Sequence, residues 1–189
     1  MSDRCVLGVV GMPGAGKSIV DAVAMNHGFS IVVMGDVIRD EVEHRNLAST
    51  PEAVGDVMLM LREEEGDAVI AKRCVSKIFT IQQANVIVDG LMNHAEIDEF
   101  RSHFPNFKIL AIHASAQTRF HRLFKRRRSD DAGEVAFQER DYRELQIGKG
   151  VVIALADYMI VNEGTFVEFK AEIERVLHDV LQTCRNDDD

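Results

Sequence analysis

The fold is decided by the segment Gly11-Met12-Pro13-Gly14-Ala15-Gly16-Lys17-Ser18, which matches the pattern G-x-x-x-x-G-K-[ST] at every fixed position. It follows the apolar run Cys5–Val10 and precedes a segment with helical periodicity. A glycine-rich turn with an incidental lysine would show the same letters, but the flanking strand and helix patterns make that alternative weak. The motif therefore predicts a loop that binds the phosphates of a nucleoside triphosphate.

Each residue type in this segment has a physical reason. Glycines allow positive φ and bring backbone N–H groups close to phosphate oxygens, while the following helix directs the positive end of its dipole at them. Lys17 is predicted to neutralise the β- and γ-phosphates and to be catalytic, and Ser18 to offer a hydroxyl to Mg²⁺. The predicted ATP-binding residues of the loop are Gly11, Met12, Pro13, Gly14, Ala15, Gly16, Lys17 and Ser18.

Short apolar runs alternate with helical segments along the rest of the chain, and such runs are typical of strands that are buried on both faces. This β-α alternation predicts parallel strands joined by right-handed crossovers. We therefore predict a single α/β domain over residues 1–185. It is a P-loop NTPase fold with a five-stranded parallel sheet in the order 2-3-1-4-5, flanked by helices, with ligands at the carboxyl ends of the strands. The further predicted strands are Ser30–Met34, Asn85–Val88, Lys108–Ile112 and Tyr158–Val161.

Two segments are predicted to cover the ligands. Residues 36–82 show only helical pattern, with helices near 36–46, 51–65 and 67–82, and are interpreted as an insertion over the acceptor. Residues 122–143 are interpreted as a short lid that closes on the donor and excludes water, a competing acceptor. The acidic end, 186–189, is predicted to be disordered.

A helix start is indicated by Ser49 before Pro51 and Glu52. Ser49 as the N-cap and Glu52 three residues later would form a capping box.

The third predicted strand ends in Val86-Ile87-Val88-Asp89-Gly90. A carboxylate at the tip of a buried strand can hold Mg²⁺ through its water shell. The alternative is an aspartate that caps the next helix or turn. Beside a phosphate loop the metal role is favoured, so Ser18 and Asp89 are the predicted metal residues and Mg²⁺ the predicted cofactor.

The run Met34-Gly35-Asp36-Val37-Ile38-Arg39 resembles the Gly-Asp-hydrophobic-hydrophobic-Arg element of adenylate kinases and related nucleoside monophosphate kinases. The resemblance implies that Asp36 and Arg39 bind the acceptor, and that Asp36 lies near the transferring group as a catalytic residue. The planar guanidinium of arginine matches a phosphate dianion. Alternatively, Asp36 caps a helix and Arg39 lies on its solvated face.

The run Arg122-Leu123-Phe124-Lys125-Arg126 resembles the pattern that opens the lid of the same family, and its i, i+4 spacing puts both arginines on one helix face. The resemblance implies that Arg122 and Arg126 bind ATP and that Arg126 is catalytic. Arginine stabilises charge that develops on the γ-phosphoryl oxygens. Arg127 and Arg128 extend the cluster. The alternative is a solvated basic helix that pairs with nearby carboxylates.

The segment Ala156–Gly164 resembles the last strand and loop of dephospho-coenzyme A kinases, which implies that residues 162–164 meet the adenine; a simple exit turn is the alternative.

From Val6 to Leu181 the chain resembles an archaeal-type group of adenylate kinase-related P-loop proteins. The runs VVGMPGAGKS, VVMGDVIRDEV, ILAIHAS and ALADYMIVNEG carry that resemblance. One departure is Leu91, since monophosphate kinases continue Asp-Gly with an aromatic residue, proline and a phosphate-binding arginine.

Charge and composition limit the partners. A net charge of −9 disfavours general binding to nucleic acid or anionic lipid, and no apolar run reaches the roughly 18 residues of a membrane span. The three cysteines form no CxxC pair and no disulfide framework, which favours a reducing, cytoplasmic compartment.

The predicted function is transfer of the γ-phosphate of Mg-ATP to a small metabolite of the nucleotide or coenzyme-precursor type. The alternatives are a nucleotide-dependent regulatory NTPase, which the missing arginine after Gly90 favours, and a nucleotide-binding fold without turnover.

Overall fold

A computed structural model of the protein describes residues 4–126 and 133–186, and within them five parallel strands form one sheet in the order β2-β3-β1-β4-β5. The predicted fold class and strand order are therefore confirmed. The strands are β1 (Cys5–Val10), β2 (Ser30–Val33), β3 (Asn85–Asp89), β4 (Lys108–His113) and β5 (Tyr158–Val161).

The register of the sheet brings the predicted site to one edge. Val9, near the end of β1, lies beside Asp89 of β3 and Leu110 of β4. The N–H of Gly90 then donates to the Val9 carbonyl at 3.0 Å, so the β3 tip and the start of the glycine-rich loop are neighbours. Every residue of β1 is buried, as its continuous apolar run predicts.

Helices cover both faces of the sheet, and each face has its own hydrophobic core. One core is formed with α1 and α9 and includes Leu7, Ile87 and Ile173, and the other is formed with α2–α5 and α8 and includes Val88, Leu61 and Phe100. The helices in the described part of the chain are α1 (Lys17–Asn26), α2 (Met34–His44), α3 (Pro51–Glu65), α4 (Val69–Thr80), α5 (His94–His103), α6 (Ala116–Arg126), α7 (Glu134–Ile147), α8 (Lys149–Ala154) and α9 (Phe166–Asn186).

The helix α3 begins at Pro51 as predicted, but its N-cap differs from the prediction by one residue. Thr50, not Ser49, is the N-cap, and its hydroxyl accepts from the Ala53 N–H at 3.2 Å. Proline is favoured as the first helical residue, where a missing N–H leaves no bond unmade, so Pro51 makes the residue before it the cap. The alternative role of Asp36 as an N-cap is also wrong, because α2 already begins at Met34 and Val33 is its N-cap.

Ion pairs connect the three helices between β2 and β3. Glu41 of α2 accepts from Arg45 at 2.7 Å and from Arg73 of α4 at 2.8 Å. Arg45 also reaches Glu64 of α3 at 3.2 Å. The hydrogen bonds from Arg45 and then Arg73 lower the pKa of the Glu41 carboxyl. These ion pairs thus hold the three helices together as one unit.

A disulfide between Cys5 and Cys184 corrects the expectation that the cysteines stay unpaired. The two residues are 179 positions apart, yet their Cα atoms lie 5.7 Å from each other because α9 packs back along β1. Sequence spacing could not show this pairing, since only the tertiary fold brings the two thiols together. Cys74 is a free, buried cysteine.

Breaking this disulfide is expected to lower the free energy of unfolding by about 2–4 kcal/mol, because it closes a loop of nearly the whole chain. The measurement is urea unfolding of the wild type with and without reductant. Cys184→Ala is the control, since reductant should not change its stability. Equal wild-type stability under both conditions would contradict the prediction.

Among residues 4–126 and 133–186, no helix is long and apolar enough to span a membrane. Asn186 ends α9, whereas Asp187–Asp189 of the predicted tail lie outside the described residues.

Candidate nucleotide site

The loop from Gly11 to Ser18, called the phosphate loop below, has the backbone that its glycines permit. Gly14 and Gly16 have φ of 82° and 114°, in the left-handed region that favours glycine. A Cβ on Gly14 would also come within 2.8 Å of the Arg119 carbonyl oxygen. Lys17 folds back over the loop, and its Nζ donates to the Gly11 carbonyl at 3.1 Å.

Side chains behind the phosphate loop hold its carbonyl groups. Asn162 Nδ2 donates to the Ala15 carbonyl at 2.7 Å, and Arg119 Nη1 donates to the Pro13 carbonyl at 3.2 Å. The N–H of a planar trans peptide points away from its C=O. The amides of Gly14 and Gly16 are therefore directed away from these side chains, as an anion-binding nest requires.

Arg119 is a site residue that the sequence reasoning missed. It is 6% exposed, and its Nη1 and Nη2 donate to Asp141 of α7 at 2.8 and 2.6 Å. Its guanidinium also lies 5.1 Å from the centre of the Phe137 ring. The available signal was its position one turn before Arg122 on the same helix face. Arg119 thus connects the phosphate loop to α7, which begins within the predicted lid.

Arg122 lies against the phosphate loop, where its Nη1 is 3.5 Å from the Ala15 carbonyl oxygen. Its Nη2 donates to the Asn162 carbonyl at 2.9 Å. With Gly164 it lines a cavity of about 230 Å³ beside the phosphate loop, whose other lining residues are Gly16, Ile19, Asn162, Phe166 and Phe169. Arg126 lies at the exposed end of α6, and Arg127 and Arg128 lie outside the described residues.

Asp89 lies at the tip of β3 with a buried Oδ1 that has no hydrogen-bond partner among the described residues. Burial raises the pKa of its carboxyl, and the charges of Lys17 and Lys149 act in the opposite direction. An unpartnered carboxylate oxygen fits a hard cation such as Mg²⁺. Ser18, the other predicted metal residue, is exposed in the first turn of α1. The described residues contain no group of three or more His, Cys, Asp or Glu side chains placed to hold a metal. Phosphate oxygens would therefore complete the coordination.

Asp21, one turn after Lys17 on α1, is a second aspartate that the sequence reasoning missed. Its Oδ1 is also buried without a partner among the described residues. Burial, and then the charge of Asp89, raise the pKa of Asp21 from 3.8 to about 7, while Lys17 acts to lower it. Between pH 3.8 and about 7, the folded protein therefore keeps a proton on Asp21 that the unfolded chain releases.

Because the folded pKa lies above the unfolded one, the contribution of Asp21 to the free energy of unfolding falls as pH rises from about 4 to about 7. The asparagine in Asp21→Asn cannot ionise, so the free energy of unfolding of this variant should decline less over the same pH range. Chemical denaturation of ligand-free protein across that window measures it. The exposed Asp56→Asn should follow the wild-type curve; an unchanged slope in Asp21→Asn would contradict the prediction.

Asp36 and Arg39, the predicted acceptor-binding residues, lie on α2 and are each about half exposed. Arg39 Nε donates to Asp36 Oδ1 at 3.1 Å, and its Nη2 donates to the same oxygen. The charge of Asp36 is close enough to raise the pKa of Asp89 further. The structure therefore brings Asp36 to the same edge as Asp89, with Arg39 attached to it.

The chain matches one family model and is similar to proteins of other organisms along most of its length. Residues 10–136 match the family model of the AAA domain. The chain is 42% identical over 178 residues to a UPF0200 protein of Methanothermobacter thermautotrophicus, covering 94% of this chain and 91% of the relative. It is 45% identical over 177 residues to a UPF0200 protein of Pyrococcus furiosus, covering 91% and 95%.

Solved structures resemble the whole fold at low sequence identity. TT1252 from Thermus thermophilus has a TM-score of 0.65 at 14% identity and covers 93% of this chain and 97% of its own. Shikimate kinase from Acinetobacter baumannii, solved with shikimate, has a TM-score of 0.57 at 15% identity and covers 96% of both chains. A gluconokinase from Sinorhizobium meliloti has a TM-score of 0.57 at 16% identity, covering 97% and 96%. These likenesses show that the chain shares the fold of these structures.

Proposed function

This chain belongs to the UPF0200 family, and from that premise we propose that it is a phosphotransferase. It moves the γ-phosphate of Mg-ATP to a small phosphorylated or hydroxylated metabolite of the nucleotide or coenzyme-precursor type. The observation that carries the proposal is the phosphate loop, with two left-handed glycines, carbonyls held from behind and Lys17 beside the buried Asp89.

Each part of the site has a role in this reaction. The amides of the phosphate loop and Lys17 bind the triphosphate, and Arg122 lines the cavity for the base. Arg126 stabilises the phosphoryl group as the lid closes. Mg²⁺, held through Ser18 and Asp89, would neutralise charge on the β- and γ-phosphates.

The acceptor would lie between α2 and the β3 tip, oriented by Asp36 and Arg39. For a hydroxyl acceptor, Asp36 takes the proton as the new P–O bond forms, whereas a phosphate acceptor needs no base. Asn93 stands at the position where monophosphate kinases have that arginine, and its side chain instead caps α5 by accepting from the Glu96 N–H at 3.0 Å. That difference argues against AMP and leaves Arg39 as the proposed acceptor arginine.

Arg39→Ala is expected to raise the KM for the acceptor by about tenfold or more, because a charge-assisted arginine–phosphate contact contributes about 1.5–3 kcal/mol. ATP affinity should not change. The assay incubates the protein with γ-labelled ATP and a panel that includes nucleotides, dephospho-coenzyme A, shikimate and gluconate. Arg101→Ala is the matched control, since Arg101 is exposed near the end of α5, at the opposite edge of the sheet.

The second candidate is a regulatory NTPase whose partner is a protein or RNA. The observation that favours it is Asn93, which stands in place of the acceptor-binding arginine and caps α5. Arg39→Ala distinguishes the two functions. A switch should hydrolyse ATP without labelling any acceptor and should be indifferent to that substitution. Normal ATP binding without transfer to any member of the panel would count against the kinase.

A further inference from the structure

Lys149 lies at the same edge of the sheet as the phosphate loop, although it comes from α8. Gly148, with φ of 115°, lies against the loop after β3, where an added Cβ would come 3.5 Å from Asn93 Cβ. Val152, one turn into α8, is buried in the core with Leu91. This packing fixes the start of α8 beside the tip of β3 and leaves Lys149 4% exposed.

Glu144 of α7 neutralises this buried lysine. Lys149 Nζ pairs with Glu144 Oε2, and Arg140 Nε lies 3.5 Å from Glu144 Oε1. One carboxylate thus contacts two basic side chains, as a phosphate group could. No residue of α7 is itself buried, so the ion pairs of Asp141 and Glu144 attach this helix to the rest of the site.

Lys149 is also close to the residues of the phosphate loop. The charges of Lys17 and Asp89 both act on the pKa of its ammonium group, which burial lowers and Glu144 raises. Two lysines placed so close together repel each other unless an anion lies between or beside them. Asp89 offers one negative charge there, and the γ-phosphoryl group of a nucleotide held by Lys17 would bring more.

We propose that Lys149 is a second catalytic cation, which exchanges Glu144 for the transferring phosphoryl group when the site is loaded. The inference rests on the proposed function and adds a residue to it. In the step, the bond from the γ-phosphorus to the bridging oxygen breaks, and its electron pair stays on ADP as the acceptor oxygen bonds to phosphorus. Lys149 neutralises charge on the equatorial oxygens and transfers no proton.

The test uses Mg-ADP with and without aluminium fluoride, which together mimic ADP and a phosphoryl group in transfer. Both affinities are measured by calorimetry for the wild type, Lys149→Met, Lys149→Arg and Glu144→Gln. Lys170→Met is the matched control, because Lys170 is exposed on α9 and pairs with Glu174 at 3.4 Å. Circular dichroism checks the fold of each variant.

Aluminium fluoride should increase the affinity of the wild type for Mg-ADP, and this increase is called the gain below. In Lys149→Met the gain should be at least about tenfold smaller, while the affinity for Mg-ADP alone stays the same. Lys149→Arg should retain most of the gain. Should Lys149→Met fail to fold, Glu144→Gln decides, since freeing the lysine from its carboxylate should increase the gain.

Three outcomes would overturn the inference. They are a wild type whose affinity for Mg-ADP does not increase with aluminium fluoride, a folded Lys149→Met with the same gain as the wild type, and a Glu144→Gln with a smaller gain than the wild type. The last two would make the Lys149–Glu144 contact a structural ion pair only. A wild type that binds no ADP would instead overturn the proposed function itself.

Discussion

Lys17→Ala is expected to lower the rate of phosphoryl transfer by about a hundredfold to a thousandfold, the loss typical of removing one preorganised charge from a transition state. In the structure the Lys17 ammonium lies over the phosphate loop, bonded to the Gly11 carbonyl at 3.1 Å. Without it, the γ-phosphoryl oxygens lose the cation that the amides of the loop cannot replace. ATP affinity should also fall, because the lysine contacts the ground-state phosphates as well.

The measurement combines calorimetry of Mg-ATP binding with initial rates of transfer or hydrolysis. The exposed Lys72→Ala, on α4, removes the same charge away from the loop and should behave as the wild type. Wild-type affinity for Mg-ATP in Lys17→Ala would contradict the assignment of the phosphate loop. A wild type that binds ATP but shows neither a burst nor steady-state hydrolysis would indicate a nucleotide-binding fold without turnover.

The features that sequence predicted correctly are those that neighbouring residues determine. The apolar run of β1 and the glycines of the phosphate loop carry their structure in a few consecutive positions, so the strand and the loop geometry follow from local rules. The strand order follows from the β-α alternation together with a fold whose topology that motif already implies. The N-cap of α3 is Thr50 and not the predicted Ser49, a difference of one residue that is usual at helix boundaries.

What sequence could not predict are contacts made between distant segments. The bonds of Arg119 to the phosphate loop and to Asp141 require α6 to pack on the loop and α7 to fold back over it. Lys149 approaches Lys17 and Asp89 only because α8 packs beside the loop after β3. Neither residue belongs to a recognisable motif, so their roles emerge from packing rather than from spacing.

Arg62 and Glu96 form a buried ion pair that no motif indicated. Arg62 Nη2 donates to Glu96 Oε1 at 2.7 Å, and the two side chains are 8% and 0% exposed. Glu96 Oε2 also accepts from the Met92 N–H at 2.7 Å and, in the capping box that starts α5, from the Asn93 N–H at 3.4 Å. The pair therefore joins α3 of the helical insertion to the loop that follows Asp89.

Glu96→Leu is expected to lower the free energy of unfolding by about 3–5 kcal/mol, because it leaves the charge of Arg62 buried without its partner. Nε and Nη1 of Arg62 already have no partner among the described residues, so the guanidinium would lose its remaining carboxylate bond. Urea unfolding of the ligand-free protein measures the change. Asp98→Leu, on the exposed face of the same helix, is the control and should change stability by about 0.5 kcal/mol or less.

The double variant Arg62→Met/Glu96→Leu separates the buried charge from the lost helix cap. Replacing both partners with apolar side chains removes the unpaired charge, so it should recover more than about 1 kcal/mol of the loss in Glu96→Leu. The bonds to the backbone of α5 stay broken in both variants and account for the remainder. If the double variant is as unstable as Glu96→Leu, the lost cap of α5 rather than the unpaired charge of Arg62 accounts for the destabilisation.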